Sequence, residues 1–290
     1  MILGLSGMLG HKLFSFLQTK GDYDVYATTT SDFDIEYPNF LIFNKKNIFY
    51  SKNQNLSFFE DIFSKINPDV VINCIAVLEQ SFFNLNPIEY IEINSVFPHK
   101  ISLLSKKFNF RFIHFSTDII YNDINGLSPE NDKISIQDFY SASKFLGEIN
   151  DKNSLTIRTS IIGHQLNNKN TSLVEWFLNF NGESVNGYSN VIYSGLTTNE
   201  ISKIFHFHII PNVSLSGVLN ISSKPISKFD LLCLIKKYYN KSIDICKDVS
   251  FKSNRSLSSK VFFKKTSYEA PKWDTMIREM HDDFKNKNTN

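Results

Sequence analysis

Apolar and polar positions alternate along the first half of the chain in a way that predicts strands separated by helices. Short apolar runs are typical of strands, and longer segments with one apolar face are typical of helices. Strands are predicted at 1–3, Asp24–Thr29, Phe40–Phe43, Asp69–Ile75, Arg111–Ser116 and Leu155–Ile162. Helices are predicted after Gly10 and at Phe58–Ile66, Ile91–Phe108 and Tyr140–Asn150. Because helical connections of this length join parallel strands, the pattern predicts an α/β fold with a doubly wound parallel sheet.

The alternation loosens after about residue 165. Helices are predicted at Ser172–Phe180, Asn199–His208 and Lys228–Tyr239, with an isolated strand at Val218–Ile221. We therefore divide the chain into 1–165, which contains the sheet, and a smaller, mostly helical region at 166–290, some of whose segments are expected to pack back on the sheet. The polar tail from Asp282 is expected to fray.

Charge and cysteine content exclude several classes of function. Lys and Arg total 31 against 29 Asp and Glu, and this net charge of +2 gives no drive toward nucleic acid or anionic membranes. The three cysteines, Cys74, Cys233 and Cys246, form no C-x-x-C pair, so neither a disulfide framework nor a zinc site is predicted, and a reducing cytoplasm is the expected compartment. The apolar runs are too short to span a bilayer. His206 and His208 are two positions apart and point to different helix faces, so no metal site is predicted.

Glycine is scarce and unevenly placed. The chain has 11 glycines in 290 residues, and three of them stand at positions 4, 7 and 10, between the first strand and the first helix. This G-x-x-G-x-x-G spacing is typical of the turn that binds a dinucleotide pyrophosphate in a Rossmann fold, where the helix N-terminus also faces the phosphates. The expected cofactor-binding residues here are Gly4, Gly7, Met8, Leu9 and Gly10.

The second strand ends in Ala27-Thr28-Thr29-Thr30, without the carboxylate that usually binds an adenosine ribose. The absence of that charge tolerates a 2′-phosphate. The cofactor is therefore expected to be NADPH or NADH, with NADPH favoured, and Thr30 is expected to lie beside it.

Tyr140 and Lys144 are four residues apart in a predicted helix, so both lie on one face, where the ammonium stabilises the phenolate. Thr117 and Asp118 end a predicted parallel strand, and strand carboxyl ends are where doubly wound sheets bind ligands. The Thr117 hydroxyl is expected to bind the carbonyl oxygen that Tyr140 protonates. The catalytic residues are therefore predicted to be Thr117, Tyr140 and Lys144.

These motifs together resemble the extended short-chain dehydrogenase/reductase superfamily, and within it the dTDP-4-dehydrorhamnose reductases and related nucleotide-sugar reductases. The likeness covers nearly the whole chain and includes Asn73-Cys74-Ile75-Ala76, Asn94, Arg158-Thr159-Ser160, Ser194-Gly195-Leu196-Thr197-Thr198 and Arg255-Ser256-Leu257. It implies that Asn73, Cys74, Ala76 and Asn94 lie against the cofactor with Tyr140 and Lys144. It also implies that Asp118, Ser194 and Arg255 face the substrate, although Arg255 is equally compatible with capping a helix.

The resemblance implies an NAD(P)H-dependent reductase of the 4-keto group of a nucleotide-activated 6-deoxyhexose, of the dTDP-4-dehydrorhamnose or UDP-4-keto-6-deoxy-HexNAc type, for bacterial surface polysaccharide. It further implies that 1–165 is the NAD(P)-binding domain and 166–290 the substrate-binding region, and that the protein forms a homodimer. Three departures from the pattern stand out: only three residues precede Gly4, Ile161 replaces a frequent Trp, and no charged residue follows the second strand.

Two other functions fit the same sequence. One is a nucleotide-sugar epimerase that retains NAD; a dehydratase is disfavoured because Ile119 stands where a proton-abstracting Glu is expected. The other is a catalytically silent NADP-binding regulatory subunit, which the intact Thr117, Tyr140 and Lys144 set argues against.

Overall fold

The structure, a computed structural model, describes residues 1–32, 45–78, 86–121, 125–166 and 172–288. The strand predicted at Phe40–Phe43 lies outside these ranges. The strands are β1 (Ile2–Leu3), β2 (Ala27–Thr29), β3 (Ile48–Tyr50), β4 (Val70–Asn73), β5 (Arg111–Phe115), β6 (Ser154–Arg158), β7 (Ile161–Ile162), β8 (Ser184–Tyr188), β9 (Val191–Tyr193), β10 (Leu196–Thr197), β11 (Gly217–Asn220), β12 (Ile226–Ser227), β13 (Asp244–Asp248) and β14 (Ser253–Asn254).

Helices lie in several of the connections between these strands and after the last of them. They are α1 (Met8–Lys20), α2 (Leu56–Ile66), α3 (Pro87–Tyr90), α4 (Phe97–Phe108), α5 (Phe139–Leu146), α6 (Leu173–Asn179), α7 (Thr198–Ile204), α8 (Lys228–Tyr239), α9 (Lys260–Thr266) and α10 (Trp273–Asn288). A π-helical turn, Ile91–Val96, joins α3 to α4. None of the helices in the described ranges is long and apolar enough to cross a membrane.

A parallel sheet of seven strands forms the centre of the described structure, in the order β11-β6-β5-β4-β1-β2-β3. The strand order reverses beside β1, so the carboxyl ends of β1 and β4 open a crevice there. The predicted doubly wound α/β fold is therefore confirmed, and its crevice lies directly above the glycine turn that follows β1.

Each face of the sheet carries its own apolar layer. On one face, Phe59 and Phe63 of α2 and Leu104 of α4 pack on Val71 and Phe112. The other face is covered by α1 together with helices from the second half of the chain, which share one larger core. The aromatic side chains thus serve mainly to fill these two layers.

The second half of the chain contributes one strand to the main sheet, and it also packs against that sheet. The strand expected to be isolated at Val218–Ile221 is β11, which pairs in parallel with β6, with Gly217 opposite Leu155. This expectation was wrong because the crossover that brings β11 to the sheet edge is long and not recognisable locally. The division of the chain at residue 165 stays a prediction.

The expectation that the tail frays from Asp282 was also wrong. Helix α10 continues to Asn288, and Asp283 forms an ion pair with the buried Lys12 of α1 at 2.5 Å. Phe284 stacks on His164 with ring centroids 4.0 Å apart. The polar composition of this segment gave no sign that Asp283 and Phe284 attach the end of α10 to the rest of the protein.

Two predicted elements end earlier than expected. The helix predicted to Asn150 ends at Leu146 with Gly147 as its C-cap, and a Cβ on Gly147 would overlap the carbonyl oxygen of Asn94. The strand predicted as Leu155–Ile162 divides into β6 and β7, because β7 leaves the main sheet and pairs with β10.

Candidate active site

Packing within the protein requires glycine at two positions of the glycine turn and leaves room for a side chain at the third. Gly4 has a φ of +88°, and a Cβ on it would lie 2.9 Å from Cγ1 of Ile75, while a Cβ on Gly10 would overlap the Gly4 carbonyl. At Gly7 the nearest atom to a Cβ is the Gly4 oxygen at 3.5 Å, an ordinary contact. The protein therefore does not itself require glycine at position 7, and the space beside it faces the crevice.

A cavity of about 610 Å³ occupies this crevice. Its lining includes five of the predicted cofactor residues, which are Gly4, Gly7, Thr30, Cys74 and Ala76. It also includes residues that the sequence did not single out, which are Ser6, Gln54, Asn55, Leu56, Phe59, Ile75, Glu92, Ile93, Val96, Phe97 and Lys100. Ser6 lies within the glycine turn and Ile75 within the segment after β4, and the others come from loops and helix faces that no local motif marks.

The N-terminus of α1 points into the same crevice. Its N-cap is Gly7, which has no side chain to satisfy the first-turn N–H groups. Leu9 and Gly10 can therefore contact a ligand only through the backbone, because the Leu9 side chain lies in the core, whereas Met8 is half-buried. Free N–H groups at a helix N-terminus bind phosphate well.

Asn73 and Cys74, at the carboxyl end of β4, differ from each other in their surroundings, and only Cys74 lines the cavity. Asn73 is buried, its amide nitrogen lies 3.1 Å from Nδ1 of His114, and its amide oxygen accepts a hydrogen bond from Ile75 N–H at 3.0 Å. The Asn73 side chain therefore shapes the turn after β4. Burial raises the pKa of the Cys74 thiol to about 12, so this thiol stays protonated where it lines the cavity.

Asn94 lies in the π-helical turn and joins two parts of the site. Its amide oxygen accepts from Val77 N–H, and its amide nitrogen donates to Val77 O, both at 2.9 Å. The same nitrogen lies 3.0 Å from Oγ of Ser143, in the helix that carries Tyr140 and Lys144. Asn94 thereby fixes the loop after β4 relative to α5.

Helix α5 is positioned by its cap and by this contact with the π turn. Asp138 caps it: its carboxylate accepts a hydrogen bond from Ser141 N–H at 2.6 Å, and the Ser141 hydroxyl oxygen accepts one from Asp138 N–H at 3.2 Å. Ser95 donates to Ser143 O at 2.8 Å. These contacts determine where Tyr140 and Lys144 stand, one helical turn apart on the same face.

Lys144 is a buried cation. It is 3% exposed, and burial lowers its pKa to about 8, although the nearby carboxylate of Glu148 opposes the shift. Burial and the charge of Lys144 together lower the pKa of His114 well below its ordinary value, so this imidazole is neutral. Tyr140 is half-buried at the start of the same helix.

Thr117 and Asp118 lie at the carboxyl end of β5, and both are buried. The Thr117 hydroxyl accepts from Ile119 N–H at 3.3 Å. Burial raises the pKa of Asp118, while the positive charges of Arg255 and Lys228 act in the opposite direction. Of the predicted substrate residues, Asp118 and Arg255 thus interact electrostatically. Ser194 is buried, with its hydroxyl accepting from Leu257 N–H at 2.8 Å.

A buried ion pair supports the floor of the site. Arg158 donates from Nε to Oε1 of Glu148 at 2.8 Å and from a terminal nitrogen to Oε2 at 2.7 Å, a two-point contact. Ser116 donates to the same carboxylate at 2.6 Å. The Arg158 guanidinium also donates to the Tyr121 hydroxyl and to Glu130 O. This network ties β5, β6 and the end of α5 together.

Residues 1–150 match the family model described as the NAD dependent epimerase/dehydratase family. Similar solved structures include a dTDP-4-dehydrorhamnose reductase from Bacillus anthracis in complex with NADP, which is 18% identical with a TM-score of 0.78 over 97% of this chain and 98% of that one. A dTDP-4-dehydrorhamnose reductase from Clostridium acetobutylicum is 17% identical, with a TM-score of 0.75 and 98% of each chain covered. A dTDP-glucose 4,6-dehydratase from Bacillus anthracis in complex with NAD is 15% identical, with a TM-score of 0.77 over 98% of this chain and 96% of that one.

No curated protein sequence matches the chain. The structural likenesses share the whole fold with it, including the second half, and they confirm the resemblance to dTDP-4-dehydrorhamnose reductases at that level. The family model covers more than half of the chain, up to and including the helix of Tyr140 and Lys144. The chain therefore belongs to the NAD-dependent epimerase/dehydratase family.

Proposed function

We propose that the protein is an NAD(P)H-dependent reductase of the 4-keto group of a nucleotide-activated 6-deoxyhexose. The observation that carries this proposal is the buried Lys144, one turn after Tyr140 on a helix held by Asn94 against the loop of the dinucleotide crevice. We assign this buried cation to a reaction at the carboxyl end of β5, where Thr117 lies, and its charge would stabilise the Tyr140 phenolate.

The crevice fits a nicotinamide dinucleotide. Gly7 leaves open space that packing does not need, and the start of α1 has N–H groups without a side-chain cap, which suits a pyrophosphate. Gly4, Gly7, Thr30 and Ala76 would line the bound dinucleotide, which supplies hydride when reduced. We favour NADPH because β2 ends in Thr29, whose hydroxyl accepts from Ser31 N–H, and no carboxylate follows directly.

The chain's own residues then have distinct tasks in the reduction. Thr117 donates a hydrogen bond to the carbonyl oxygen of the substrate and orients it. Tyr140 gives a proton to that oxygen, and the positive charge of Lys144 stabilises the phenolate that remains. Proton and hydride together convert the ketone to an alcohol.

Loss of the reduced-nicotinamide absorbance tests the proposal directly. Purified protein is mixed with NADPH or NADH and a panel of dTDP- and UDP-linked 4-keto-6-deoxy sugars generated in situ. Oxidation with one sugar and stoichiometric alcohol formation is the expected result. Interconversion of a nucleotide sugar without net oxidation would instead identify an epimerase. Tight cofactor binding with no conversion of any sugar would refute the reductase.

A further inference from the structure

The carboxylate of Glu148 lies just beyond the end of α5, four residues after Lys144. The Glu148 N–H donates to the carbonyl of Phe145 at 3.1 Å, so the turn of the helix continues past Gly147. The Glu148 side chain is only 7% exposed. Its negative charge acts on the buried ammonium of Lys144. The end of α5 therefore places a buried carboxylate near the buried cation of the site.

Three hydrogen bonds from two other elements hold this carboxylate in place. Arg158 of β6 donates to both of its oxygens, at 2.8 and 2.7 Å. Ser116, the residue after β5, donates to Oε1 at 2.6 Å. A two-point contact between a guanidinium and a carboxylate fixes the relative orientation of both groups. The Glu148 carboxylate therefore cannot turn toward Lys144 without losing these bonds.

The Lys144 ammonium, in contrast, forms no hydrogen bond or ion pair with any residue that the structure describes. Burial lowers its pKa to about 8, and the charge of Glu148 opposes that shift. The two charges thus interact through space without direct contact. An ammonium that is charged and unpaired can still interact with other groups, which a closed ion pair with Glu148 would prevent.

The other titratable groups around α5 do not supply the same counter-charge. They are Asp138 and Tyr140 of α5 and its cap, His114 of β5, His99 of α4, Glu89 of α3 and Glu92 of the π-helical turn. His114 is neutral, because burial and the charge of Lys144 lower its pKa well below the ordinary value. Among the described carboxylates, Glu148 is the one whose charge shifts the pKa of Lys144.

We propose that Glu148 is a positioning residue for the reduction: held by Arg158 and Ser116, its carboxylate keeps Lys144 charged without pairing with it. The part of this role that concerns the reaction rests on the proposed function. Arg158 and Ser116 act on Lys144 through Glu148, and the ammonium stays available to the Tyr140 phenolate. The network under the site thereby sets the pH range in which the site works.

Carbon-13 NMR of protein labelled at lysine Cε follows the titration of Lys144 without substrate or cofactor. Lys144→Arg removes one signal and so assigns it. For the wild-type protein we expect a midpoint at about pH 8. Glu148→Gln removes the negative charge and should lower the midpoint by about 1–2 pH units, within the range for a nearby opposite charge. Glu148→Asp keeps the charge and should remain within about half a unit of wild type.

Glu60→Gln is the matched control. Its carboxylate is 35% exposed and pairs with Lys107 at 2.9 Å, so this variant removes one negative charge away from the site. Circular dichroism confirms that each variant is folded. If Glu148→Gln does not fold, because Arg158 is left buried without a counter-charge, the double variant Glu148→Gln/Arg158→Gln removes both charges. It should also lower the Lys144 midpoint, because the charge of Glu148 is the one that acts there.

The pH profile of kcat/KM separates this role from a merely structural one. In Glu148→Gln, kcat/KM should lie within about threefold of wild type at pH 5.5 and be about 10–100-fold lower at pH 9. A loss of the same size at every pH would overturn the proposal, and so would equal Lys144 midpoints in wild type and Glu148→Gln. A lowered midpoint in a protein that reduces no keto sugar would leave the effect of Glu148 on Lys144 standing and refute the reductase.

Discussion

Tyr140 and Lys144 illustrate how one pair of side chains depends on surroundings that a motif does not contain. Their spacing places them on one face of α5, but the lowered pKa of Lys144 comes from its burial in the folded protein, which the nearby charge of Glu148 only partly offsets. The chemistry proposed for this pair makes two predictions at the level of single residues.

Replacing Tyr140 by Phe removes the proton donor and keeps the ring. We expect turnover to fall by about 10²–10⁴-fold, the usual contribution of acid catalysis. Cofactor affinity, measured by quenching of protein fluorescence, should stay unchanged because the phenol is not needed to hold the pyrophosphate. Tyr188→Phe, at a tyrosine 39% exposed, is the control. A Tyr140→Phe enzyme with wild-type turnover would rule out the assigned role.

The pH dependence of kcat/KM should follow Lys144. Its pKa in the free protein is lowered to about 8, so the ammonium is present below that pH and is lost as pH rises through it. Because the proposed mechanism needs the charged form, kcat/KM should be level below about pH 8 and fall about tenfold per unit above it. Lys144→Arg keeps its charge at higher pH, so any activity it retains should lose this alkaline decline. A wild-type profile that is flat to pH 10 would contradict the prediction.

At the scale of elements, the glycine turn contains one glycine that we assign to ligand binding, Gly7, and one that the packing of the fold requires, Gly10. Gly7 has φ −73° and ψ 158°, which alanine adopts without strain. We expect Gly7→Ala to leave the free energy of unfolding nearly unchanged and to weaken dinucleotide binding by about tenfold or more, because the methyl group fills the open space beside the pyrophosphate.

Gly10→Ala should behave in the opposite way. Its Cβ would overlap the Gly4 carbonyl, so strand and helix must separate, at a cost of about 1–3 kcal/mol in the free energy of unfolding. Urea denaturation of both variants, together with cofactor titration, distinguishes the two positions. If Gly7→Ala proved as destabilising as Gly10→Ala, the assignment of Gly7 to ligand binding would be wrong.

The elements also show how far sequence reasoning reaches. Strands β4 and β5 were predicted because their apolar runs are continuous, and α1 because glycine precedes an amphipathic segment. The need for glycine at position 147, directly after α5, was missed because it arises in another element, at the carbonyl of Asn94.

The same limit applies to the candidate site. The glycine turn and the Tyr140/Lys144 pair are short-range patterns and are visible in the sequence. The positive charges of Lys228 and Arg255 act on the Asp118 carboxylate although the three residues are far apart in the chain, and no local spacing predicts this interaction. Gln54 lines the crevice from a loop without a motif.

At the scale of the whole molecule, helix α10 joins the last part of the sequence to α1, the helix that follows the glycine turn. Asp283→Asn weakens the contact with the buried Lys12, and we expect a loss of about 1–3 kcal/mol in the free energy of unfolding, the range for hydrogen bonds to charged groups. Glu269→Gln, at a side chain 71% exposed, should have almost no effect. Thermal denaturation followed by circular dichroism measures both, and equal values for the two variants would show that the contact is not a significant support.

The contact between Lys12 and Asp283 also has a consequence for the order of events during protein synthesis. The two residues are 271 positions apart, so at about 5–20 residues per second roughly 15–55 s pass on the ribosome between them. Strand β11, which completes the sheet edge, is likewise made late. We expect the nascent chain to hold an unfinished nucleotide site for most of that time, and to acquire dinucleotide affinity only after α10 has been synthesised.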